Sequence, residues 1–205
     1  MAKTFSDLSP EKRKQIHDAA LQVFAENGYK RANTQEIAYK AGISKGLLFY
    51  YFKNKQSLCL HLLNWAIEQI EIQLKDDIHQ SKDFFQRLES GTQKKLEFFE
   101  KMPFLLDFSL RMYYTTDKEI APSIQNAIVK MTNILFDRYF SDIDTQKFKP
   151  GISPQMVLNQ MIYLCDGYLH QQMLQHQPIS MENILQQYNI WKAILKQYAY
   201  KEEYQ

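Results

Sequence analysis

Lys45, Gly46, Tyr50 and Tyr51 fall within one short run, inside a stretch from Asn33 to Phe52 that reads as two brief helices around a tight turn. On the second of these helices Leu48 and Phe52, four residues apart, point the same way. Its other side carries Lys45, Gly46, Leu47, Phe49, Tyr50 and Tyr51. A helix face that joins a core would not gather a lysine, a glycine and two tyrosines. A helix lying in a DNA groove would: lysine for base edges and phosphate, glycine for close approach, tyrosine hydroxyls for phosphate oxygens. That chemistry is recognition, not bond-making. The chain has no H-E-x-x-H pairing, P-loop, dinucleotide fingerprint, nucleophile elbow or C-x-x-C. Its five histidines, His17, His61, His79, His170 and His176, show no ligand spacing, and the last two read as solvent or interface residues. Cys59 and Cys165 lie far apart in apolar helical sequence and read as buried reduced thiols. A non-enzymatic protein without metal or cofactor is expected.

The elements that must hold this face are legible on either side. Asn33 is placed to cap the first short helix, with Glu36 reaching back to the cap amide. Ile37, Ala38 and Ala41 give it one apolar face, Gly42 ends it where φ > 0 costs least, Ile43 packs the turn, and Ser44 caps the second helix. Upstream, Ser9-Pro10 opens a long helix whose Ile16, Ala19, Ala20, Val23 and Phe24 form a core stripe. Asn27-Gly28 stops it, Tyr29 packs back, and Lys12, Arg13 and Lys14 lie opposite, within reach of flanking phosphates. Downstream, Lys53-Asn54-Lys55 leads into a fourth helix with Leu58, Leu62, Trp65 and Ile72 on its apolar face, running to about Gln80. Charge follows the same division. Residues 1–60 hold eight lysines and two arginines against five acidic residues, a balance of +5, which leaves −3 for the remainder. Phosphate contact requires a positive field of this kind.

At 205 residues with 45 % hydrophobic and 23 % charged side chains, the chain has the composition of a soluble globular protein large enough for a substantial core. No apolar run approaches a membrane span and no secretion signal precedes the first helix, so a cytoplasmic protein with no membrane partner is expected. The rest is helical in pattern. Ser81 is placed to cap a helix to about Lys101, with Gly91 a possible break, and Met102-Pro103 marks a boundary. Phe104–Tyr114 makes a short apolar helix, and Thr116-Asp117 caps another that takes Pro122 early and runs to about Asp142. Residues Asp144–Gly151 form a loop, Ser153-Pro154 opens a helix to about His176, Gln177-Pro178 breaks it, and Ser180 starts the last helix, to about Tyr200. Nothing alternates with period two, so the fold class is all-α.

The run from Glu11 to Leu63 resembles the N-terminal domain of the TetR family of bacterial transcriptional repressors. The matching pieces are ALQVFAENGY (Ala20–Tyr29), EIAYKAGIS (Glu36–Ser44) and KGLLFYYFKNKQSL (Lys45–Leu58). The resemblance implies an N-terminal three-helix helix-turn-helix head, residues 9–55, joined through a linking helix to a helical effector-binding and dimerisation domain, residues 56–205. It places DNA contacts at Thr34, Ser44, Lys45, Gly46, Tyr50, Tyr51 and Lys55. With Asn33, Leu47 and Phe49 these make the expected interface. Phe49 departs from the tyrosine common in the family and leaves an apolar or thymine-methyl contact at best. The resemblance further implies a homodimer through the last two helices, here Met161, Leu164, Tyr188, Trp191, Ile194, Leu195 and Tyr198. It also implies a small-molecule cavity, with Trp65, Phe99, Phe104, Phe108, Met112 and Tyr113 as aromatic and apolar lining and Asp166 and Tyr168 as polar options. The expected partners are a palindromic double-stranded DNA operator, a second copy of the chain and a small apolar or aromatic effector that releases the repressor. An architectural DNA binder or a protein-interaction module without effector is the alternative, and the intact face of Lys45, Gly46, Tyr50 and Lys55 weighs against a purely protein-binding role.

Overall fold

Five helices start at the side-chain caps that the sequence offers, Ser9, Asn33, Ser44, Ser153 and Ser180. In the computed structural model, which describes residues 4–74, 81–102, 104–175, 177 and 179–205, a 3-10 turn at Phe5–Asp7 precedes α1 (Pro10–Arg31). Ser9 Oγ accepts from the Lys12 amide, and Pro10 sits in the first turn, where its missing N–H is harmless. Then come α2 (Thr34–Lys40), α3 (Lys45–Phe52), α4 (Lys55–Leu74), α5 (Phe84–Lys101), α6 (Leu105–Tyr113), α7 (Ala121–Phe140), α8 (Pro154–Leu174) and α9 (Met181–Ala199). Among the described residues there is no strand, only one antiparallel bridge between Phe148 and Tyr200. The fold is all-α.

The chain forms two compact units: residues 1–75 with 97–133, and residues 76–96 with 134–205. Compactness therefore does not follow the functional boundary drawn at residue 55. In the first unit, α1 to α4 close on Ile16, Val23, Phe24, Ile37, Leu48, Leu58 and Leu62, and α6 contributes Leu105, Phe108 and Met112 to the same core. Phe108 lies 6.1 Å, ring to ring, from Phe24, and Cys59 Sγ lies 3.3 Å from Met112 Sδ. The Tyr29 hydroxyl donates to Glu119 Oε1 at 2.7 Å, and Gln56 Nε2 donates to the Glu119 carbonyl at 2.8 Å. The three-helix head is thus bonded to α6 and to the turn after it.

The second unit packs Phe84, Phe85, Phe148 and Tyr200 edge to face, with ring centroids 5.0–5.8 Å apart. Val157 and Met161 of α8 and Tyr188, Leu195 and Ala199 of α9 complete its core. Arg87 is buried here, its guanidinium donating to the Ser81 and Tyr139 carbonyls and to Asp142. Lys147 pairs with Asp83 at 2.9 Å.

Several local expectations change. Gly28, at φ 68°, kinks α1 where a stop was expected, and a last turn continues to Arg31. Glu36 lies 3.8 Å from Lys40 Nζ instead of reaching back to the cap of α2, where the Asn33 side chain accepts from Gln35. Asp83, not Ser81, caps α5, because its Oδ1 accepts from the Gln86 amide at 3.0 Å. Gly91 does not interrupt α5. Phe104 stands outside α6 at φ 67°. Asp117 caps a turn, and α7 starts later, at Ala121. Ile72 is exposed, off the apolar face of α4. The expected run of α4 from residue 75 to Gln80, together with His79, Pro103, His176 and Pro178, lies outside the described residues.

Candidate nucleic-acid interface

The presentation of α3 depends on its two ends. Gly42, at φ 62°, turns the chain after α2, with the Ile43 amide donating to the Ala38 carbonyl. Ser44 Oγ accepts from the Leu47 amide at 3.1 Å and starts α3. Leu48 and Phe52 are buried, which turns Lys45, Gly46, Leu47 and Tyr50 outward as exposed residues, with Phe49 and Tyr51 half-buried. Lys45 Nζ lies 5.8 Å from the Phe49 ring centroid, so the aromatic face steadies the cation. Tyr50 and Tyr51 meet edge to face at 5.4 Å, and Tyr51 leans on Phe5 at 6.1 Å. Asn33 and Thr34 stand at the start of α2, and Tyr39 of that helix is 82 % exposed. Tyr39 was not anticipated as part of this surface. Its signal in the sequence is the large ring on the solvent side of α2, opposite Ile37 and Ala38.

Gly46 has no reason inside the chain to be glycine. It lies in a helix at ordinary φ, and the nearest atom to an added Cβ would be Ser44 Oγ at 3.9 Å. Glycine in an exposed helix costs about 1 kcal/mol relative to alanine, so packing among the described residues does not account for it.

Three of the basic residues are held by the protein itself. Lys12 Nζ donates to the carbonyls of Ala41 and Gly42 at 3.0 and 3.2 Å and to Gln15, closing the end of α2 instead of reaching out. Lys55 Nζ donates to the Lys30 carbonyl at 3.2 Å and lies 4.7 Å from the Tyr29 ring centroid. Lys14 pairs with Asp18 at 2.6 Å on the exposed side of α1.

Residues 16–62, which contain α2, α3 and the turn between them, match the family model described as bacterial regulatory proteins, tetR family. Within residues 16–62 the chain carries a TetR-family head. It is 28 % identical over 127 residues to the transcriptional activator FasR of Mycolicibacterium smegmatis, a match covering 62 % of this chain and 58 % of FasR. It is 26 % identical over 152 residues to the fatty acid metabolism regulator protein of Bacillus subtilis, covering 73 % of this chain and 76 % of that protein. The crystal structure of FadR from Bacillus subtilis in complex with stearoyl-CoA shares the fold, with a TM-score of 0.69, 23 % identity and coverage of 89 % and 96 %.

Beyond the TetR-family head, the residues expected to line an effector cavity divide between the units. Phe108 and Met112 are fully buried in the first core, Phe99 and Trp65 pack at its margin, and Phe104 and Tyr113 are exposed. Asp166 and Tyr168 are half-buried in the second unit, where Tyr168 meets Trp191 edge to face at 5.8 Å. Of the eight, Trp65 borders a cleft of about 470 Å³ in the first unit. The dimerisation candidates divide as well. Met161, Tyr188 and Leu195 are taken into the core of their own unit, because their side of each helix faces the other helix. Leu164, Ile194 and Tyr198 remain exposed, and Trp191 is half-buried. The exposed apolar set extends to Met156, Tyr163 and Leu174 on α8 and Ile190 on α9. Burial drives the Cys59 thiol up to about 12, which keeps it protonated and inert.

Proposed function

We propose that the chain is a homodimeric transcriptional repressor that reads a palindromic operator with α3 and is released by a small apolar effector. The carrying observation is the outward face of α3, where Gly46 leaves room for a base edge or phosphate that nothing in the chain occupies. Lys45 takes the base-reading role and the Ser44, Tyr50 and Tyr51 hydroxyls the phosphate oxygens. The exposed apolar sides of α8 and α9 supply the self-complementary surface of a two-fold dimer. Two heads related by that axis would enter major grooves roughly 34–36 Å apart, or at a multiple of that distance.

Release works through α6. Since Phe108, Met112 and Glu119 hold α6 and its following turn to α1 and α4, an effector that shifts α6 moves the head while touching no DNA contact. The stearoyl-CoA bound by the Bacillus subtilis FadR makes long-chain acyl thioesters the first effector class to try.

The test is fluorescence anisotropy of the purified protein with its own upstream intergenic DNA and a scrambled control, at two salt concentrations. Specific binding that survives the higher salt, and that Lys45→Ala weakens by about 1–3 kcal/mol, is the expected result. Equal binding to both DNAs that collapses with salt would leave only phosphate contact and favour an architectural role. Stearoyl-CoA and a set of aromatic compounds are then titrated into the complex. A change in DNA affinity below about twofold for every compound would remove the effector from the reading.

A further inference from the structure

The cleft of about 470 Å³ lies between the N-terminal 3-10 turn and two helix walls, and none of its chemistry is used by the operator-reading face. Its floor is an imidazole pair that the sequence spacing concealed. His17 of α1 and His61 of α4 approach to 3.0 Å, Nε2 to Nε2, and Trp65 stands 4.3 Å, ring to ring, from His17. Phe5 closes one side, 5.3 Å from His17 and 4.9 Å from His61. The volume falls in the range of small-molecule pockets, and Phe5, Trp65 and the two imidazoles supply ring surface beside a larger share of polar side chains.

The two walls differ in charge. Arg13 and Lys14 line the cleft from α1, whereas α4 offers Asn64, Glu68 and Gln69. Lys14 is tied to Asp18, so Arg13 is the better anion ligand, and its planar fork suits a carboxylate. Glu68 and the two amides would accept from a hydroxyl or amine. The geometry points to a binding site for a small planar aromatic carboxylate bearing a second polar substituent. Its ring lies against Trp65 and Phe5, its carboxylate turns toward α1 and its hydroxyl or amine toward α4. A metal ion fits less well, since no group of three ligating side chains forms among the described residues. The inference does not rest on the repressor reading, and its test contains no DNA.

The probe is 4-hydroxybenzoate, followed by the fluorescence of Trp65 in a Trp191→Phe background, since the chain holds two tryptophans. Saturable quenching is expected, weakened about tenfold or more by Arg13→Gln, the factor of one hydrogen bond to a charged group. The neutral 4-hydroxybenzyl alcohol should lose a similar factor. Arg13 is partly exposed, so the variant is expected to melt with the parent, and a calorimetric titration repeats the comparison without the fluorophore. No saturation by millimolar ligand, equal affinity for the alcohol, or unchanged affinity in Arg13→Gln would each overturn the site. So would quenching by Zn²⁺ alone that His17→Gln abolishes, because the pair would then be a metal site.

Discussion

Gly46 separates folding from function at the level of a single residue. Because an added Cβ meets only Ser44 Oγ at 3.9 Å, Gly46→Ala should hold or raise the melting temperature, by up to about 1 kcal/mol of stability. In the proposed operator complex the same methyl intrudes on the DNA, so operator affinity should fall. A thermal melt and an anisotropy titration on one sample check both halves, and a variant that bound DNA like the parent would remove Gly46 from the interface. His17 behaves differently, since its environment opposes charge. Burial first, then the like charges of His61 and Arg13, push its pKa from the ordinary 6.5 down to about 3, and burial also lowers His61. Lys14 on α1 and Glu68 on α4 are the other charges lining this cleft. The unfolded chain therefore binds the proton more readily than the folded one. The contribution to stability is complete above about pH 6.5 and is lost as pH falls from there toward 3. Urea unfolding at pH 7.5 and 5 should show the parent losing stability, and His17→Gln losing less.

At the level of elements, buried polar anchors fix where helices begin and end. Arg87 is 1 % exposed and joins the start of α5 to the end of α7 through the Ser81 and Tyr139 carbonyls and Asp142. Arg87→Met would remove the guanidinium donors from those carbonyls, and a loss of about 2–4 kcal/mol in urea unfolding is expected. An unchanged midpoint would mean that water replaces the guanidinium without cost. Such anchors are not legible in the sequence. Lys12 was expected at phosphates because it lies opposite the apolar stripe of α1, yet its acceptors, Ala41 and Gly42, are 29 and 30 residues away. The caps at Ser9, Asn33, Ser44, Ser153 and Ser180 were legible, because each partner amide lies two or three residues along.

At the level of the whole molecule, the exposed apolar sides of α8 and α9 make the proposed assembly testable. Ile194 is 58 % exposed, so an aspartate there costs the protomer little while placing a charge in a dimer seam. Ile194→Asp should sediment as a monomer with unchanged helicity and should lose operator affinity, since one head reads one half-site. A parent protein that is itself monomeric at micromolar concentration would refute the dimer.

The sequence by itself determined the helical class, the caps at Ser9, Asn33, Ser44, Ser153 and Ser180, the turn at Gly42 and the outward face of α3, because these depend on neighbours within one helical turn. Tertiary structure alone decided which side of each later helix would be core. Leu195 is buried while the adjacent Ile194 is exposed, and the two differ in the packing of α8 against α9, not in hydrophobicity. The joining of His17 to His61, of Tyr29 to Glu119 and of α6 to the head likewise required the chain to fold back on itself. Local chemistry writes the elements; only closure of the core brings residues 44 or 90 positions apart within hydrogen-bonding distance.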